Sequence, residues 1–282
     1  MSAAHRRPIR CFARATLDSS ALFASVLAVA LVAGAARSEA PDPRAIMKKQ
    51  DHVHRLPFED TEVQMVLQKK GGAPQARTLH IVVTQDPADK AGDKMRIRFL
   101  TPADVGGTTL LSVENKSGDD DQWLYLPAFR KSRRLGAAER GDRFAGTDLF
   151  FDDLQRRHVD DYAHKLLREE DCGGQPCYVI ESTPTNEKVK KESPYSRTQS
   201  WIRKDNLVTV QLRHFDRAGK PLKEVKVDKI ERVSGDAWRA SEMTVTDVQR
   251  QSRTTSIVKA RKLAAPANAD ATLFNPSQLA DH

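Results

Sequence analysis

"KMRIRFL", residues 94–100, is the stretch on which the fold class turns. Lys94, Arg96 and Arg98 alternate with Met95, Ile97 and Phe99, and a two-residue period of charge and apolar bulk marks a strand with one face on a core. "LVTVQLR" (207–213) repeats the pattern, with Val208, Val210 and Leu212 set against Thr209, Gln211 and Arg213. Outward from these two, segments 78–83, 108–113, 122–126, 178–183, 200–203, 222–228, 241–246 and 254–259 are rich in β-branched and aromatic residues. Turn signals such as "KAGD" (90–93), "KSGDD" (116–120), "DRAGK" (216–220) and "VSGD" (233–236) separate them. Strands spaced about ten residues apart predict a mainly β domain, with about ten or eleven strands in one antiparallel meander.

Helix is scarce. Residues 41–55 (PDPRAIMKKQDHVHR) predict a short N-terminal helix, with Pro43 near its start and Ile46 and Val53 among charges. A second short helical piece is expected between Asp148 and Arg157, and "NEKVKKES" (186–193) reads as a solvated loop. No repeat or low-complexity linker divides the chain, so residues 37–282 read as one domain.

The first 36 residues carry a different signal. Arg6, Arg7, Arg10 and Arg14 precede the uncharged run Ala21–Val32, and small residues follow. That is the layout of a secretory signal peptide, with an apolar run too short to span a bilayer. Cleavage is expected after Ala35 or Ala36, and because Cys11 precedes the apolar run no lipid anchor is expected at the cleavage site. Removing four arginines and one aspartate lowers the net charge from +8 to +5. The remaining chain is mildly basic, which suits anionic headgroups or an acidic partner and is weak support for nucleic acid.

Cys172 and Cys177 flank Gly173-Gly174-Gln175-Pro176. Strong turn chemistry between them, in an oxidising compartment, favours a disulfide across a hairpin over a metal or redox pair. The sequence holds no GxSxG, HExxH or P-loop, and its histidines are scattered singly. Asp148 and Asp152 are four apart in "FAGTDLFFDDL" (144–154) and on a helical turn would converge, as for a cation or for acid–base work. Ion pairing with Arg130, Arg133, Arg134, Arg156 or Arg157 is the stronger reading, and no enzymatic activity, metal or cofactor is expected.

In "QWLYLPAFRKSRRL" (122–135) both alternating sets, Trp123/Tyr125 and Leu124/Leu126, are apolar, so this strand should be covered on both faces. Pro127 ends its ladder, and Arg130, Lys131, Arg133 and Arg134 then emerge at a rim, placed to clamp the aspartates of 147–153 or a lipid phosphate.

These stretches resemble the LolA-like outer-membrane lipoprotein-sorting protein family. The closer likeness is to the branch often encoded with exporters of the resistance-nodulation-division (RND) or MMPL type. Trp123, Tyr125, Leu126 and Pro127 match a W-x-Y-L-P element, Arg133 and Arg134 its basic pair, and Phe144, Gly146, Thr147, Asp148, Phe151, Asp153 and Leu154 its F-x-G-(S/T)-D segment. Phe99, Pro102, Gly107 and Thr108 match the preceding element, and "ATLFNPSQL" (271–279) resembles the closing one. The resemblance implies an unclosed, strongly curved half-barrel with an N-terminal helix and a short helical lid over a hydrophobic cavity. Phe99, Trp123, Leu124, Tyr125, Leu126 and Phe144 are the candidate cavity residues. Arg133, Arg134, Gly146, Asp148 and Asp153 form the rim and motif. The implied function is a periplasmic carrier or chaperone, expected to be a monomer, that shuttles a lipid or lipoprotein acyl chain between envelope membranes with transient membrane-surface contact. A periplasmic adaptor subunit of an RND-type complex that binds no lipid is the alternative.

Overall fold

The pairing of the first strand with the last sets the topology. The computed structural model describes residues 41–86, 88–265 and 272–280, so the expected signal peptide lies outside the described residues. After helix α1 (Pro43–Val53) come β1 (Phe58–Gln68), β2 (Gln75–Thr84), β3 (Lys94–Thr101), β4 (Thr109–Val113), β5 (Asp121–Leu126) and β6 (Lys131–Arg134). Residues 135–161, which we call the strap, contain four short 3-10 turns and no strand. The chain then runs through β7 (Tyr162–Asp171), β8 (Pro176–Pro184), helix α2 (Glu187–Glu192), β9 (Tyr195–Arg203) and β10 (Thr209–Asp216). It ends its sheet with β11 (Pro221–Ser234), β12 (Ala237–Asp247) and β13 (Ser252–Lys262).

All thirteen strands form one antiparallel sheet in the order β6-β5-β4-β3-β2-β1-β13-β12-β11-β10-β9-β8-β7. Register shifts at Glu62/Val63 against β13, and three more between β11 and β12, are the irregularities that bend a sheet and increase its twist. β6 and β7 form the two edges and do not pair with each other, so the sheet is not closed into a barrel.

The strand count exceeds ten or eleven because three strands carry weak signals. β1 opens with Glu59, Asp60 and Glu62, which mask its buried Val63, Met65 and Leu67. β6 exposes all four of its residues, and β7 (YAHKLLREED) is an edge strand built largely from helix-favouring residues. In β3 the alternation holds, with Ile97 and Phe99 buried and Met95 packed against the same cluster. The opposite, charged face of β3 is itself covered, since Arg98 donates to the carbonyl of Leu279 at 3.1 Å.

α1 forms where expected, capped by the Asp42 side chain on the Arg44 amide. It buries Ile46 against Ile180 and Ile202. Residues 186–193 differ from the expected loop. The Asn186 side chain accepts from the amides of Lys188 and Val189 and starts the short helix α2, so a local cap outweighs the polar composition. Between Asp148 and Arg157 the helical content is one 3-10 turn, Phe151–Leu154.

Cys172 and Cys177 form the disulfide across the β7–β8 hairpin, with Cα atoms 6.0 Å apart. The Asp171 carboxylate accepts from the Gly174 amide at 2.8 Å and the Cys172 amide donates to the Gln175 carbonyl. Closing so short a loop contributes about 2 kcal/mol in the chain-entropy account. Cys172→Ser should therefore lower the melting temperature by roughly 4–8 °C in a domain of this size, read by scanning calorimetry under non-reducing conditions.

Candidate functional site

One face of the sheet, here the inner face, lies under the strap. Phe144, Phe151 and Leu154 of the strap pack on Val63, Met65, Leu79, Ile97, Phe99, Leu110 and Leu124. Packing is incomplete on one side of Phe144. There a cavity of about 260 Å³ lies between Phe144, Leu149 and Leu154 and the side chains of β1, β2, β3, β12 and β13, among them Val63, Ile81, Met95, Met243 and Val258. A cluster of Glu59, Arg239 and Arg261 lines one end of it. Arg239 Nε donates to Glu59 at 2.7 Å, and Arg261 pairs with the same carboxylate. Burial lowers the Arg239 guanidinium to about 10 and lowers Arg261 as well, so two desolvated cations share this carboxylate.

The strap stays over the sheet because buried polar bonds tie it there. Ala145 and Gly146 both take left-handed backbone angles, φ +47° and +75°, which turn the chain sharply and let Phe144 and Thr147 point inward. Thr147 donates from its amide and its hydroxyl to the Phe144 carbonyl. Asp148 then accepts from Ser252 at 2.5 Å and Thr254 at 2.8 Å, both on β13. A second tie involves Asp153, which accepts from Tyr195 OH at 2.8 Å and from the Phe150 amide at 2.7 Å. It also pairs with Lys223, and Lys223 Nζ lies 4.0 Å from the Phe150 ring centroid. Burial alone would raise the Asp153 carboxyl, but the charge and hydrogen bond of Lys223, with the Phe150 amide, outweigh it and hold it below the usual carboxylate range. Burial lowers Lys223, against the pull of Asp153. Burial and then Asp153 push the Tyr195 phenol far up. A third tie runs through Gln122 and Ser112, which donate to the Phe151 and Leu154 carbonyls.

Of the residues singled out from the sequence, Phe144 lines the cavity. Phe99, Leu124 and Leu126 stand in the same apolar cluster but do not line the cavity. Trp123 and Tyr125 lie on the outer face, against Leu111, Phe274 and Leu279, so the C-terminal residues cover the second apolar side of this strand. Gly146, Asp148 and Asp153 act in the ties just described. Arg133 pairs with Glu139 at 2.7 Å and Arg134 pairs with Asp121. The strap aspartates, which these two arginines were expected to clamp, take other partners. Asp148 and Asp152 do not share a turn, since Asp152 accepts from Ser193 and faces Arg157. Among the described residues no cluster of three or more metal-binding side chains occurs, and no helix is long and apolar enough to cross a membrane. Glu59, Arg239, Met243, Val258 and Arg261 had escaped sequence reading, because they are single positions on strands chosen by facing rather than by motif.

This architecture is that of the LolA-like proteins. A crystal structure of an outer membrane lipoprotein-sorting protein domain from Vibrio parahaemolyticus superposes with a TM-score of 0.77 at 24% identity, over 84% of this chain and 98% of that one. A DUF1329 family protein from Desulfovibrio piger gives 0.77 at 27% identity, over 85% and 100%. A LolA superfamily protein from Nitrosomonas europaea gives 0.64 at 18% identity, over 83% and 98%. No curated protein matches. A family model described as "Uncharacterized protein" matches residues 91–281, more than half of the chain, and the chain belongs to that family.

His214 supplies a pH test of the Asp153 tie. It is buried, stacks on Tyr195 at 4.4 Å and meets Thr198 Oγ1 at 2.9 Å. Burial, and then Arg157, pull its imidazole down to about 3. The folded protein therefore holds it neutral, while the unfolded chain takes up a proton near about pH 6.5. Stability from this group is complete above that value and falls as pH drops towards about 3. His214→Gln should show a smaller loss of melting temperature between about pH 7 and pH 4 than the wild type.

Proposed function

We propose that the protein is a periplasmic carrier that holds an acyl chain of a lipid or lipoprotein in the cavity beneath the strap. The observation that carries this is the cavity itself, a space of about 260 Å³ with apolar walls and one charged end, under a segment fastened by buried carboxylates. Such a volume lies just below the range of small-ligand sites and fits part of one chain. Half a dozen buried methylenes would contribute about 5 kcal/mol. A carboxylate or ester headgroup would meet Arg239 and Arg261, which share Glu59, with Glu231 as a second partner of Arg261. The Vibrio parahaemolyticus domain is described as lipoprotein-sorting, which agrees with this reading, as does the signal-peptide pattern of residues 1–36. An inner-membrane exporter of the RND or MMPL type is the partner such a carrier would serve.

Organic extraction of the purified protein followed by mass spectrometry should recover lipid, and a fluorescent fatty acid should bind at micromolar concentration. Met243→Trp fills the cavity from β12 without adding charge. It should weaken probe binding at least tenfold while leaving the melting temperature equal or higher. A wild-type protein with no extractable lipid and no probe uptake would refute the carrier and favour the adaptor that binds none.

Arg239→Ala should weaken a fatty-acid probe more than its methyl ester, because only the free acid carries the charge that the guanidinium would meet. Equal losses for the two, measured by competition for the bound probe, would put the headgroup elsewhere.

A further inference from the structure

We infer that one rim of the sheet docks on an anionic bilayer, with Phe129 and Leu100 entering the headgroup layer and a row of lysines and arginines meeting lipid phosphates. The strand order places four hairpins side by side along that rim, β5–β6, β3–β4, β1–β2 and β12–β13. The first two touch, for a Cβ added at Gly107 would come within 3.0 Å of Pro127 Cγ. Few large apolar side chains are exposed among the described residues, and three of the four lie here. Phe129 is 71% exposed, Leu100 44% and Val248 37%. Phe129 sits at the tip of the β5–β6 turn, with Arg130 beside it in a left-handed conformation, φ +48°.

The charges on the same hairpins have one dominant sign. Lys69, Lys70, Arg130, Lys131 and Arg250 are exposed and none forms an ion pair within the described residues, while Asp104 is the acid in the β3–β4 turn. At the opposite ends of β2 to β5, segments 85–93 and 114–120 hold six acids and two lysines. The strands thus run from an acidic rim to a basic rim that carries apolar tips. Apolar side chains ringed by unpaired cations suit a surface that offers both an apolar layer and fixed negative charge. An acidic protein would satisfy the cations, but it would leave separate tips on separate hairpins without a common apolar patch.

Co-sedimentation of the full chain with vesicles tests this. Wild type should pellet with phosphatidylcholine vesicles that contain phosphatidylglycerol, remain in solution with pure phosphatidylcholine, and be released by raised salt. Each cation lost should cost about fivefold in affinity, so Arg130→Glu with Lys131→Glu should lose at least about thirtyfold. Phe129→Ser should lose about tenfold, and in Phe129→Trp the added indole should shift to the blue on anionic vesicles. Lys90→Glu, on the other rim, should bind as wild type does. The inference is overturned if wild type stays in solution, if it binds neutral vesicles equally well, or if Lys90→Glu weakens binding as much as the rim variants. Phe129→Ser should still take up the fatty-acid probe in solution, so a failure of the cavity and a failure of the docking rim give different patterns.

Discussion

Two carboxylates, the buried Asp148 and the largely buried Asp153, hold the molecule's arrangement together. Neither contributes apolar surface, yet with the bonds from Gln122 and Ser112 they fix the strap over the sheet at the height that leaves a cavity. An apolar lid alone would settle inward until the space was filled, since protein interiors pack closely. Bonds to Ser252 and Thr254 on β13, and to Lys223 and Tyr195 on β11 and β9, set the spacing from the side. They also raise the cost of error, because an unpaired carboxylate at these positions would be strongly destabilising. The cavity is therefore a product of polar chemistry around it as much as of the apolar residues that line it.

Much of this was legible in the sequence, and the part that was not has a physical reason. Alternation in 94–100 marked a strand whose apolar face, Ile97 and Phe99, is buried, while in 207–213 the alternating residues form a strand from Thr209 without a matching alternation in burial. The hairpin at Gly173–Pro176 and its disulfide followed from turn residues and cysteine spacing. The two-sided apolar strand at 122–126 was readable as covered on both faces, but which residues faced the lid could not be read, since Trp123 and Leu124 are equally apolar. That depended on the C-terminal residues Phe274 and Leu279 occupying the outer face. The partners of Asp153 were hidden for a different reason. Lys223 and Tyr195 come from two different strands, and each alone looks like an ordinary strand residue.

The open edges carry their own protection. β6 presents Lys131, Arg133 and Arg134 to solvent, and β7 ends in Arg168, Glu169, Glu170 and Asp171. Charged side chains on unpaired strands discourage another chain from adding to the sheet. The sheet can thus stay open without becoming a template for aggregation, an opening that a closed barrel would lose.

β1 pairs with β13 in the middle of the sheet, joining Asp60 to Lys262 and Gln68 to Arg253. The two halves, β1 to β6 and β7 to β13, can each grow by local hairpins, whose ends are close in sequence. The seam between them is the most distant pairing in the molecule. Closing it requires the longest loop closure in the sheet, between residues 60–68 and 253–262, and such non-local pairing makes it the slow, topologically demanding event of folding. Until the last strand has been delivered, the first has a bare edge, so any helper that shields incomplete chains would find its longest-lived target along β1.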